Sequence, residues 1–229
     1  ITVLLIFSAW NLNAQIVEYG DAKMNMPFEG AIQMTDNLNG QGGWAYWDKK
    51  VSLKKAIHIK FEVYLGDNDS GADGIAFFLH NDPRGFNARG DVGGSLGYGS
   101  SISSTVVKPI APSIALEFDT YQNPGYLDPV QDHVGILENG SVTHKNDNYL
   151  TVSNMEDGQK HLVEIKWDPK TKVLELIWEG KTWLKEKKDI VKKIFKGKTE
   201  VYMGFSGSTG GSKNQQYFNL VTVNNKPII

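Results

Sequence analysis

Five side chains able to hold a metal ion, Glu117, Asp119, Asn123, Asp128 and His133, fall within seventeen residues of one another. The first two belong to Ile114-Ala-Leu-Glu-Phe-Asp119, where apolar residues alternate with others as in a β-strand whose successive side chains point to opposite faces. Ile114, Leu116 and Phe118 then share a core face, while Glu117, Asp119 and Tyr121 share the other. Two carboxylates at adjacent positions of one face repel. A shared proton, a cationic side chain or a metal ion must offset that repulsion. The turn signal Asn123-Pro-Gly125 folds Asp128 and His133 back towards the same face, which favours metal.

The donor types point to two classes of ion. Asp119, Asn123, Asp128 and a backbone carbonyl form an oxygen-only set suited to calcium, which takes about 6–8 oxygens. Glu117, Asp119, Asp128 and His133 mix oxygen with nitrogen, a better match to manganese or another transition ion. Asp119 and Asp128 belong to both sets and can bridge two ions. Solvated carboxylates in front of a polar turn are the plain alternative, but this density of ligand-capable groups exceeds what solvation needs.

The elements that must position these groups read as strands. Ala31–Thr35, Trp44–Trp47, Ala56–Leu65, His161–Trp167, Val173–Trp178, Val201–Gly204 and Tyr217–Val223 carry β-type runs separated by Gly, Asn, Asp and Pro turns. Ala56–Leu65 alternates cleanly, as a sheet with one buried face requires. Gly74-Ile-Ala-Phe-Phe-Leu79 is apolar throughout and is expected to be buried on both faces. Asp168-Pro-Lys170 reads as the link of a hairpin. Trp44 and Trp47 are expected in the core rather than as a stacking platform, because no polar partners cluster near them. Gly66–Gly71 lacks the spacing and closing Glu of a calcium-binding helical loop and reads as a turn. The segment Lys185–Lys198 holds seven lysines with Ile190, Val191, Ile194 and Phe195 interspersed, and reads as a solvated face rather than as a basic docking face or a short amphipathic helix on a sheet edge.

Many strands and few helical patterns argue for an all-β sandwich. At 229 residues one such domain is the simpler reading. A net charge of −2 offers no whole-chain attraction for nucleic acid or anionic membrane, and the absence of cysteine excludes disulfides and thiolate sites. Residues 1–14 open with an apolar run too short to span a bilayer and read as the remains of a secretory leader, leaving residues 15–229 as the domain. Export to the outside or to the cell surface would place the chain where calcium is plentiful.

Glu117-x-Asp119-x-Tyr121-x-Asn123, then Asp128-Pro129, then His133-Val-Gly135 resembles, position for position, the metal and sugar loop of the legume-type (L-type) lectins, and a secreted bacterial member is the expectation. The resemblance runs from about residue 16 to 225 and implies a concanavalin-like jelly-roll β-sandwich that binds carbohydrate without catalysis. It implies Glu117, Asp119, Asp128 and His133 as ligands of a manganese-type ion. Asp119, the Tyr121 carbonyl, Asn123 and Asp128 would bind calcium. Ala72-Asp73-Gly-Ile-Ala-Phe-Phe78 resembles the family strand whose Asp, after a cis peptide, accepts from two sugar hydroxyls. Gly94 occupies the place of a backbone N–H donor to the sugar, Asn123 gives an amide N–H, and Tyr121 stacks on the ring. Gly204-Phe-Ser-Gly-Ser-Thr-Gly210 resembles the sugar-selecting loop, with contacts expected from Ser208, Thr209, Gly210 or Gly211.

Two other functions fit the same fold. A glycoside hydrolase would recruit Glu117 and Asp119, but related hydrolases carry a third carboxylate where this chain has Tyr121 or Gln122. A structural adhesin module would keep the metals and lack sugar affinity. The expected partner is a glycan or glycoconjugate. No nucleic acid and no membrane span are expected, and a homo-oligomer would supply the avidity that one site lacks.

Overall fold

A computed structural model of the chain describes residues 16–25, 30–102, 104–144 and 148–227. The leader expected over residues 1–14 lies outside them. In chain order the strands begin β1 (Ile16–Gly20), β2 (Lys23–Asn25), β3 (Ala31–Thr35), β4 (Gly42–Trp47), β5 (Val51–Ser52), β6 (Ile57–Tyr64), β7 (Gly74–His80) and β8 (Ser113–Asp119). They continue with β9 (His133–Glu138), β10 (Tyr149–Thr151), β11 (His161–Asp168), β12 (Val173–Trp178), β13 (Lys181–Lys187), β14 (Glu200–Ser208), β15 (Gln216–Val223) and β16 (Lys226–Pro227).

Two antiparallel sheets form a sandwich. One runs β1-β4-β14-β7-β8-β9-β10, with β5 on β14; the other runs β13-β12-β11-β6-β15-β3-β2, with β16 on β15. The period-two pattern of β6 sends Ile57, Ile59, Phe61 and Val63 into the space between the sheets, where they meet Phe77, Leu116, Phe118, Phe205 and Phe218. Phe205 and Phe218 stack across the sandwich at 3.9 Å between ring centroids. Each such side chain contributes about 1.5–3 kcal/mol by leaving water.

The first sheet is buried on its other face as well. Trp44, Tyr46, Phe78, Ala115 and Leu137 pack there beneath loop residues Leu96, Tyr98, Ile110, Tyr126 and Val142. This second core explains why β7 is apolar at every position except its terminal Gly and His, and why β8 is buried from end to end. Trp44 and Trp47 are both buried, Trp44 donating from Nε1 to the Gly97 carbonyl at 2.7 Å.

The lysine-rich segment divides by period. It forms the end of β13 and a single helical turn, α1 (Ile190–Lys193), opened by Asp189, whose carboxylate accepts from the Lys192 backbone N–H at 3.0 Å. Ile190, Ile194 and Phe195 plug the main core while Lys192, Lys193, Lys196 and Lys198 stay in water. The segment therefore closes the sandwich edge as well as facing solvent.

Candidate metal centre and adjoining loops

The centre lies where β8 meets β9. Their antiparallel register pairs Asp119 with His133 and Glu117 with Gly135. With Ala115 on the loop-covered face, period two places Glu117 and Asp119 on that face too, away from the sandwich interior. Gly135 makes room for the carboxylate, because a Cβ there would stand 2.2 Å from Glu117 Oε1. The loop between the strands tightens through Pro124–Tyr126 and returns Asp128, whose Oδ2 accepts from the Asn123 backbone N–H at 2.8 Å. Asp119 Oδ1 accepts from the Tyr121 N–H at 2.8 Å, which sets the start of the same loop.

Among the described residues two groups of potential ligands result, each with donor atoms within 4.8 Å of one another. One is Asp119, Asp128 and His133; the other is Glu117, His133 and His144. The sequence reading grouped Glu117, Asp119, Asp128 and His133; in the structure Asp119 and Asp128 stand with His133 in one group, and Glu117 stands with His133 in the other. The sequence reading missed His144, which follows a turn after β9 and returns beside Glu117 with its Nε2 3.0 Å from Oε1. The available signal was a second histidine one hairpin beyond His133 in a chain with only five.

Electrostatics make the centre cation-seeking. Glu117 is 1 % exposed; its Oε1 meets the His144 ring nitrogen 3.0 Å away, while Oε2 has no partner, and the buried Asn123 Oδ1 lacks one as well. Burying such acceptors unsatisfied costs about 1–3 kcal/mol each, and more for a charge. Burial and the neighbouring Glu117 and Asp128 hold the Asp119 carboxyl well above its ordinary range. Burial likewise pushes Asp128 up to about 7, with Glu117 adding to it. His133 is lowered by burial, whereas at His144 the hydrogen bond and charge of Glu117 outweigh burial and raise it. These residues fit a pair of divalent cations. Glu117, Asp119, Asp128 and His133 have the donor set for a transition ion, and Asp119, the Tyr121 carbonyl, Asn123 and Asp128 have that for calcium.

The loops beside this centre carry the remaining predicted residues. The Ala72–Asp73 peptide is cis. Asp73 is held through its backbone, its N–H donating to the Ser208 carbonyl and its carbonyl accepting from the Thr120 N–H, both at 3.0 Å. Its side chain is 3 % exposed, Oδ2 has no partner, and burial raises its pKa to about 7. A Cβ on Gly94 would fall 2.1 Å from Asn123 Oδ1, and one on Gly210 would fall 3.2 Å from Asp73 Oδ2 and 3.1 Å from Gly93 Cα. Glycines thus let two backbones approach the two unpartnered oxygens.

Tyr121 is 40 % exposed at the edge of a cleft of about 590 Å³ that Ser212 also lines. The four residues expected in the last loop divide. Ser208 and Thr209 are fully buried, their hydroxyls donating to the Gly93 and Leu38 carbonyls at 2.8 and 2.6 Å. Gly210 and Gly211 reach the surface, where Asn39 Nδ2 donates to the Gly211 carbonyl at 2.6 Å.

Known proteins share this architecture. The legume lectin beta-barrel domain matches residues 7–222. The chain is 29 % identical to the seed lectin beta chain of Spatholobus parviflorus over 227 residues, covering 91 % of this chain and 90 % of the other. It is 34 % identical to a galactose-binding lectin of Arachis hypogaea over 155 residues, 63 % of this chain and 53 % of that one. The solved lectin of Bauhinia forficata in complex with GalNAc superposes with a TM-score of 0.72 at 20 % identity, covering 93 % and 92 % of the two chains. With the matched domain spanning nearly all of its length, the chain belongs to the legume lectin family and is a carbohydrate-binding protein without catalytic activity.

Proposed function

We propose that this lectin binds its glycan only when calcium and a transition ion occupy the paired centre, and that Asp73, Gly94, Tyr121 and Asn123 make the contacts. The observation that carries this is the pair of buried oxygens without partners, Asp73 Oδ2 and Asn123 Oδ1, each beside a glycine ledge. Bound calcium would engage Asn123 Oδ1 and leave its amide N–H for the sugar. Asp73 accepts from sugar hydroxyls, the Gly94 N–H donates, and Tyr121 supplies an apolar ring. Gly210 and Gly211 bring backbone to the sugar, with Ser208 and Thr209 anchoring that loop from behind. A galactose-type sugar is the first to test, given the named specificity of the Arachis hypogaea relative. The domain occupies residues 15–229, acts outside the cell or at its surface, and gains avidity as a homo-oligomer. Among the described residues no helix is long and apolar enough to cross a membrane.

A glycan array run with calcium and manganese, then after chelation, tests the reading. Binding that disappears with the chelator and returns with the metals is expected. No binding in either condition would leave the centre a structural device and favour an adhesin module without sugar affinity. Gly94→Ala supplies a second check, because its methyl group must displace the Asn123 amide. Overpacking of that kind costs about 1–3 kcal/mol, so calorimetry should record roughly a 10- to 100-fold loss of sugar affinity.

A further inference from the structure

We propose that His144 is a direct ligand of the transition ion, beside Glu117, Asp119, Asp128 and His133, and that this second imidazole biases the centre from manganese towards zinc. The inference rests on the reading that a transition ion occupies the site, and goes beyond it in ligand set and ion.

Geometry carries the argument. His144 Nε2 lies 3.1 Å from His133 Nε2, 3.0 Å from Glu117 Oε1 and 3.7 Å from Asp128 Oδ1. With metal–ligand bonds of about 2.1 Å, neighbouring donor atoms stand about 3.0 Å apart in an octahedral shell and about 3.4 Å apart in a tetrahedral one. The His144–His133 and His144–Glu117 separations match neighbouring donors of one shell, and Glu117, His133 and His144 together, with His133 Nε2 and Glu117 Oε1 4.0 Å apart, present donor atoms within 4.8 Å that one ion could bridge.

The ring's tautomer agrees. Asn148 Nδ2 donates to the Ile136 carbonyl, which orients the amide so that Oδ1 faces His144 Nδ1 at 3.1 Å. An oxygen there requires a proton on Nδ1, so Nε2 is the nitrogen that meets Glu117 and that a metal would take in place of a proton. The two Nε2 atoms thus converge at 3.1 Å beside Glu117 Oε1, and a cation among them would satisfy all three atoms. His144 is itself 4 % exposed, and its backbone N–H is pinned to the Tyr126 carbonyl at 2.9 Å, so the ring is built into the site rather than swung against it. A second imidazole makes the donor set less suited to manganese and better suited to zinc, cobalt or nickel.

Because zinc outcompetes manganese at most nitrogen and oxygen sites, the preference alone decides nothing. The decisive readout is the number of imidazoles on the ion. X-ray absorption of the calcium- and zinc-loaded, unmutated protein should resolve two imidazole shells. Competition titrations should show His144→Ser losing about 100-fold or more in zinc affinity, with a much smaller loss for manganese. One imidazole on bound zinc, or an equal loss for the two ions in a folded His144→Ser protein, overturns this proposal and leaves the metal-dependent lectin reading standing. Binding of neither zinc nor manganese overturns both. If His144→Ser does not fold, the imidazole count of the unmutated protein decides alone.

Discussion

Chelation of divalent cations at pH 8 is expected to lower the melting temperature by roughly 10 °C, and acidification of the metal-free protein to pH 5 to restore most of the loss. The cause is the set of carboxyls that burial raises: Asp128 and Asp73 to about 7, and Asp119 well above its ordinary range. A carboxyl whose folded pKa is raised contributes stability that is complete below its unfolded value near 3.8. That contribution is lost as pH climbs through the folded value. For Asp128 the displacement of about three units corresponds to on the order of 4 kcal/mol at pH 8. In a domain of this size each kcal/mol moves the melting temperature by about 2–4 °C. Bound cations favour the ionised carboxylates and should flatten this slope. Glu156, raised to about 9 by burial and by its hydrogen bond with Asp132, retains some slope in both forms. Calorimetric scans at pH 5 and pH 8, with and without metal, check the expectation. A metal-free protein that melts at the same temperature at both pH values would contradict it.

Asp73→Asn should abolish sugar binding while leaving the fold intact. The substitution keeps the side chain's size and the two backbone hydrogen bonds to Ser208 and Thr120, and it removes a buried, unpartnered carboxylate oxygen. A carboxylate accepts from two hydroxyls, whereas the amide turns a donor towards one of them. Hydrogen bonds to a charged group are worth about 1.5–3 kcal/mol each, so affinity should fall about 100-fold or more. The melting temperature at pH 8 should hold or rise, since burial of the charge opposes folding at that pH. Titration calorimetry beside a thermal melt separates the two effects. Unchanged affinity would remove Asp73 from the binding site, and a collapsed melt would mark it as structural.

The sequence by itself determined what depends on local period and local order. Alternation in Ile57–Tyr64 marks a half-buried strand, and the all-apolar run after Gly74 marks one covered on both faces, because side-chain direction in a strand follows position alone. Glu117, Asp119, Asp128 and His133 could be proposed together because a single strand, turn and strand carries all four, whereas their division into one group with Asp119 and Asp128 and another with Glu117 and His144 came from the fold. Only the tertiary structure decided what depends on contacts between distant segments. The second core over the first sheet is assembled from loops whose residues show no period of their own. Ser208 and Thr209 look available in sequence, but their hydroxyls are taken by the Gly93 and Leu38 carbonyls, 115 and 171 residues away. His144 is the sharpest case. Its place beside Glu117 depends on the β8–β9 register, on the Gly135 gap and on the bond to Tyr126, and no spacing rule contains all three.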